Sequence, residues 1–199
     1  MDDDPAGKVC ETVVTLAEQD RRRDGTLAGS PAGPESASRT GHDCPVRIPP
    51  LDVVVRVVAA LREQGLTPAI GGSGLLVALG LADVAHDWDV TVDSGGTAGA
   101  AAVTAALDGA GIRYREDSER GGIYATGRRY VLDGGDHTLD LLLDFAMYGP
   151  DGAERLPTRV SGHWRGLPLA DPAVWARAYR LLDRPAKADA LERWLTASS

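Results

Sequence analysis

Hydrophobic and polar positions change period repeatedly along this chain, and the changes predict an alternation of short helices and strands. Between Leu51 and Gln64, Val54, Val57, Val58 and Leu61 recur at helical spacing. Pro49-Pro50 leads into this segment and Gly65 follows it, which predicts a helix with a left-handed stop. Thr67 to Ile70 reads as a short strand running into Gly71-Gly72-Ser73-Gly74, and Leu75, Leu76, Val77 and Leu79 predict a compact helix over Ser73 to Leu81. From Asp87 to Asp93 the period drops to two: Asp87, Asp89, Thr91 and Asp93 share one face, and Trp88, Val90 and Val92 the other. That strand is apolar on one side and acidic on the other.

An Ala-rich helix follows to about Gly109, with Val103, Ala106, Leu107 and Ala110 inward, and Ile112 to Arg115 reads as a strand. Two further strands, roughly Ile123 to Leu132 and His137 to Phe145, are joined by Asp133-Gly134-Gly135-Asp136, a set that favours a tight hairpin. Beyond Pro150 comes a mixed segment with a strand near Arg159 to Ser161, then helices over Asp171 to Leu182 and Pro185 to Leu195. Upstream, Lys8 to Arg23 has a weak helical stripe of Val13, Leu16 and Ala17. Asp24 to Asp43 holds too few large apolar residues to offset the entropy of ordering. Residues 1–45 are therefore expected to be an N-terminal helix and disordered linker, and residues 46–199 one folded domain.

The 199 residues, 43% hydrophobic, suffice for one respectable core. A net charge of −8 argues against broad binding to a nucleic-acid backbone, which needs a basic surface. Cys10 and Cys44 suggest neither a disulfide scaffold nor a thiolate metal site. With an acidic start, Met1-Asp2-Asp3-Asp4, and no apolar run long enough to span a bilayer, the expectation is an unexported protein of the reducing cytoplasm.

The acidic strand changes the picture most. Carboxylates inside a strand of core-type residues cost several kcal/mol each without a cation partner, on the order of magnitude known for buried charges. Asp87 and Asp89 stand about 6.6 Å apart along the strand, close enough for their carboxylates to converge on one metal or on a metal pair. Magnesium suits hard carboxylate oxygens and nucleotide phosphates alike. A third carboxylate is expected from the strand His137 to Asp144, where Asp140 and Asp144 share a face about 13 Å apart. Asp140, mid-strand, is preferred over Asp144. The glycine turn alone is weak, since Gly95-Gly96, Gly121-Gly122 and Gly134-Gly135 also occur. Its setting between a strand and a helix start would offer backbone amides and the Ser73 hydroxyl to an anion, and no Lys-Ser or Lys-Thr follows to make a P-loop.

Together, Gly71-Gly72-Ser73, Asp87-Trp88-Asp89 and Leu139-Asp140-Leu141 resemble the three-part signature of the nucleotidyltransferase superfamily, in its small-molecule and minimal branch, over about Leu51 to Phe145. The resemblance implies an α+β polymerase-beta-like fold: a mixed sheet flanked by helices, with C-terminal helices and a flexible N-terminal extension. It further implies that Gly71, Gly72 and Ser73 hold a nucleoside triphosphate, ATP favoured. Asp87, Asp89 and Asp140 would be the catalytic residues and magnesium ligands, with Asp140 completing the metal site or taking a proton from the acceptor hydroxyl. Tyr179, Arg184 and Lys187 resemble a basic tail helix beside the nucleotide, which implies phosphate contacts from Arg184 and Lys187. Trp88 departs from the aliphatic residue usual between the paired aspartates. The implied reaction moves a nucleoside monophosphate to a hydroxyl acceptor, a small molecule such as an antibiotic. The alternative is a toxin or antitoxin member, or an inactive binding module, acting on a protein or RNA, with the N-terminal helix engaging a protein partner.

Two rival readings explain less. A dinucleotide site would use Gly72-Ser73-Gly74 and Asp93, but its third glycine position is Val77 and it leaves Asp87 and Asp89 without a purpose. A His-Asp phosphohydrolase needs its ligands on packed helices, whereas His86-Asp87 opens a strand and His42-Asp43 falls in the linker. His86 and His137 read as strand-entry and hairpin residues. Arg128 and Arg129 occupy alternate faces of one strand, so at most one can point toward the acidic site.

Overall fold

A computed structural model describes residues 46–95, 98–117 and 122–198. The helix and linker expected over residues 1–45 lie outside the described residues. The elements run α1 (Leu51–Glu63), β1 (Ala69–Ile70), α2 (Gly72–Ala78), β2 (Trp88–Val92), α3 (Ala98–Gly109), β3 (Tyr114–Glu116), β4 (Arg128–Asp133) and β5 (Thr138–Leu143). Then come β6 (Ala146–Gly149), β7 (Gly152–Arg155), β8 (Val160–Trp164), β9 (Leu167–Ala170), α4 (Pro172–Leu181) and α5 (Pro185–Ala197). The architecture is α+β, as the motifs implied.

Seven strands form one mixed sheet in the order β3-β4-β5-β2-β1-β9-β8, while β6 and β7 make a separate hairpin. β2 lies at its centre, antiparallel to β1 and parallel to β5. Its apolar face drives the packing: Trp88, Val90 and Val92 are fully buried in one core with Leu139 and Leu141 of β5, Val54, Val57 and Leu61 of α1, and Val103 and Leu107 of α3. The Trp88 indole also donates to the Pro50 carbonyl at 3.2 Å, tying the start of α1 to the central strand. Because a one-residue slip would turn these side chains out of the core, the β2–β5 register is set by the burial pattern. That register makes Asp89 the partner of Asp140.

Local signals account for several element ends. Gly65 takes φ +74 after α1, and the amides of Gly65 and Leu66 bond back to Arg62 and Leu61 at 2.9 and 3.0 Å. Asp171 caps α4 by accepting from the Ala173 amide at 2.8 Å, with Pro172 in the first turn.

Three stretches depart from the periodicity. β5 stops at Leu143 instead of Phe145, because Asp144 takes the left-handed conformation, φ +53. The expected mixed segment holds the β6–β7 hairpin. β9, Leu-Pro-Leu-Ala, is buried throughout and inserts between β1 and β8, pairing parallel with β1 through Ile70 and Leu169. Among the described residues, no helix is long and apolar enough to cross a membrane.

Candidate active site

The β1–α2 turn is built of glycine because three neighbours fill the space where side chains would go. A Cβ on Gly71 would lie 1.9 Å from Cζ2 of Trp175, and one on Gly74 2.8 Å from Cζ3 of Trp88. At Gly72, with φ +55, a Cβ would lie 1.7 Å from Oδ2 of Asp89. The turn is also pinned to the acidic strand, the Gly71 amide donating to the Asp89 carbonyl at 2.9 Å. The glycines thus bring the turn and the Asp89 carboxylate into direct contact.

Asp87, Asp89 and Asp140 line one cavity of about 710 Å³ with Gly72, Ser73, Arg184 and Lys187. Asp140 faces it because Asp89 and Asp140 are register partners on adjacent parallel strands, which lie about 4.8 Å apart. Ser73 Oγ sits 3.3 Å from Asp87 Oδ1. Leu142, Phe145, Met147 and Trp175 form an apolar floor, with Phe145 and Trp175 stacked at 5.4 Å between centroids. The lining also includes Asp117, Tyr124, Thr126 and Arg129.

Charge is crowded here. Burial, then the neighbouring Asp87 and Asp140, push the Asp89 carboxyl up to about 7, against the opposing pull of Arg129 and Lys187. Burial, and next the nearby Arg184, push the Lys187 ammonium down from its usual range; it lies 5.3 Å from the centroid of the Tyr179 ring. Burial followed by Asp89 and Asp87 raises the Tyr179 hydroxyl well above the usual phenol range despite Arg184. That hydroxyl is buried with no hydrogen-bond partner. An acid whose charged form is disfavoured first by burial and then by two neighbouring acids is relieved by a cation, and the hard oxygen donors of Asp87, Asp89 and Asp140 fit magnesium. Among the described residues, however, no three His, Cys, Asp or Glu side chains are gathered closely enough to enclose a metal ion. One oxygen of Asp140 is engaged elsewhere, accepting from Arg129 Nη2 at 2.8 Å.

Of the residues singled out from sequence, Gly72, Ser73, Asp87, Asp89, Asp140, Arg184 and Lys187 come together around the cavity. Gly71 stands behind it, against Trp175. Asp144 lies at the far end of β5, accepting from the Ser94 amide at 2.9 Å and standing 3.5 Å from Arg155. Asp93 shares that Arg155 at 3.2 Å and accepts from the Thr158 amide at 3.2 Å, so both acids clasp loops. His86 reaches the rim, while His137 pairs with Asp136 at 2.8 Å in the hairpin and lines a more open cavity of about 660 Å³ beside it. Arg128 turns away to Glu116, and Arg129 is the arginine that faces the site. Asp117, Tyr124 and Thr126 gave no sequence signal, because their place depends on contacts distant in sequence, such as the bridge between Tyr124 and Met147 of β6.

No protein-family model matches the chain, and no curated protein matches it. Among solved structures, the fold matches the crystal structure of a Thermotoga maritima protein provisionally named a nucleotidyltransferase. The TM-score is 0.53 at 19% identity, covering 74% of this chain and 92% of that one. The solution structure of the antibiotic-resistance factor ANT(2'')-Ia aligns with a TM-score of 0.49 at 18% identity, over 75% of this chain and 84% of that one. The likeness rests on the first of these and is one of fold: the chain has the polymerase-beta-like nucleotidyltransferase fold.

Proposed function

We propose that this protein is a nucleotidyltransferase that moves a nucleoside monophosphate from a nucleoside triphosphate, ATP favoured, to a hydroxyl of a small-molecule acceptor in the cytoplasm. The observation that carries the reading is that Asp87, Asp89 and Asp140 line one cavity with the Gly72-Ser73 turn, Arg184 and Lys187. Acids alone would suit a structural cation. Acids and two basic side chains lining one cavity of about 710 Å³ suit a triphosphate held among them.

In this reading Arg184 and Lys187 bind the phosphates as cations, and the Ser73 hydroxyl turns from Asp87 to donate to a phosphate oxygen. Asp87, Asp89 and Asp140 would hold magnesium, which would supply neutralisation of charge on the triphosphate. The acceptor oxygen forms its bond to the α-phosphorus as the bond to pyrophosphate breaks, and the acceptor proton passes to Asp140. The apolar floor and Tyr124 give the cavity room and contact surface for an acceptor beside the nucleotide. A net charge of −8 favours a small molecule such as an antibiotic over RNA.

The test is incubation with each labelled nucleoside triphosphate and magnesium, with and without a panel of aminoglycoside and lincosamide acceptors, beside Asp89→Asn. Transfer that needs an acceptor and disappears in Asp89→Asn is expected. Absence of nucleotide binding by the wild type, or equal transfer by the variant, would refute the reading.

A further inference from the structure

Arg129 leaves β4 on the sheet face that carries Asp140, because Val131 is the register partner of Asp140 and Arg129 stands two residues away. Its guanidinium reaches between two carboxylates: Nη2 donates to Asp140 Oδ2 at 2.8 Å, and Nη1 to Asp117 Oδ2 at 3.3 Å. The two acceptors lie in different positions relative to the site. Asp140 belongs to the acidic face with Asp87 and Asp89, whereas Asp117 follows β3 and also meets Arg115 at 3.2 Å.

A cation bound between Asp89 and Asp140 would compete with a guanidinium already on Asp140, since both need the same carboxylate and repel each other. Moving that guanidinium costs little packing, because the Arg129 side chain is 43% exposed, and Asp117 is already within reach to receive it. The short bond to Asp140 also accounts for three acids that share a cavity without closing into a cage.

We propose that Arg129 is a positioning residue that stands in for the metal: it holds Asp140 in the cation-free state and passes to Asp117 when a divalent cation binds. The proposal rests on the nucleotidyltransferase reading. Metal affinity is then the outcome of an exchange between one guanidinium and one divalent ion, with Asp117 setting its balance.

The experiment is titration of the full chain with Mn²⁺, read by electron paramagnetic resonance without nucleotide, with thermal melts to confirm folding. Arg129→Ala is expected to tighten Mn²⁺ binding about tenfold, and Asp117→Asn to weaken it about threefold by leaving Arg129 on Asp140. Arg129→Lys, which keeps the charge, should stay near wild type. In the Arg129→Ala background, Asp117→Asn should have no further effect. Unchanged or weaker binding by folded Arg129→Ala, or an Asp117→Asn effect that persists without Arg129, would overturn the exchange. If Arg129→Ala melts below the assay temperature, Asp117→Asn decides: weaker binding supports the hand-over, and unchanged or tighter binding overturns it. Asp89→Asn separates the two levels, because Mn²⁺ binding indifferent to Asp89 defeats the nucleotidyltransferase reading, whereas binding that needs Asp89 but ignores Arg129 defeats the exchange alone.

Discussion

Replacing Gly72 with alanine tests the contact on which the site is built. A Cβ there would lie 1.7 Å from Asp89 Oδ2, where ordinary contact begins near 3.4 Å, so the carboxylate or the turn must move by more than an ångström. Two costs add. Holding alanine at φ +55 costs about 1–2 kcal/mol, and forcing a methyl into filled space costs about 1–3 kcal/mol more. Gly80 provides the control, since its φ is +70 and nothing lies within 4 Å of its added Cβ; Gly80→Ala should show the backbone cost alone. Urea unfolding followed by circular dichroism would compare both variants, each also combined with Asp89→Ala. Removing the Asp89 carboxylate should bring the cost of Gly72→Ala toward that of Gly80→Ala, with the Asp89 Cβ still 3.0 Å away, a coupling of about 1–3 kcal/mol, and leave Gly80→Ala unaffected. Displacing Asp89 by this much should also lower turnover about a hundredfold. Equal costs for the two glycine variants, with coupling below about 0.5 kcal/mol, would refute the steric argument.

The cation-free protein should lose stability as pH rises from about 4 through 7. Its folded Asp89 carboxyl, raised to about 7, keeps a proton that the unfolded chain releases near 3.8, so the unfolded state binds fewer protons in that window. The loss is on the order of 4 kcal/mol at most. Melts across that range should show a slope that flattens in Asp89→Asn, and magnesium should raise the melting temperature more at pH 8 than at pH 5; a wild-type slope identical to that of the variant would contradict the assignment. Asp140→Asn should keep its melting temperature and lose about a hundredfold or more in turnover, whereas Asp144→Asn, which weakens the clasp on Ser94 and Arg155, should lose about 1–2 kcal/mol of stability and keep turnover within about threefold. The reverse pattern in steady-state kinetics and melts would exchange their roles.

What could be read from the chain divides along physical lines. The α1 stripe, the alternation of β2 and the turn before β5 are local patterns, and the structure follows them closely. That Asp140 and not Asp144 lies beside Asp89 follows from the distance along one strand. β9 could not be read in this way, since four residues containing Pro168 carry no period, and their burial between β1 and β8 comes from partners distant in sequence. The direction of Arg129 was open because it depends on the β4–β5 register. The glycines carried a second meaning as well: Trp175 and Trp88, far along the chain and near at hand, occupy the space that the absent side chains leave.

The late position of β9 and Trp175 bears on how the protein is made. During synthesis, β1 and the glycine turn leave the ribosome about a hundred residues before the strand that pairs with β1 and the indole that backs Gly71. Until then β1 has an unpaired edge, the kind of surface that recruits other chains, and closing it requires a contact of long sequence separation, which slows folding. A nascent chain that has not yet reached α4 would therefore hold Asp87, Asp89 and Asp140 yet lack the Trp175 indole that backs Gly71.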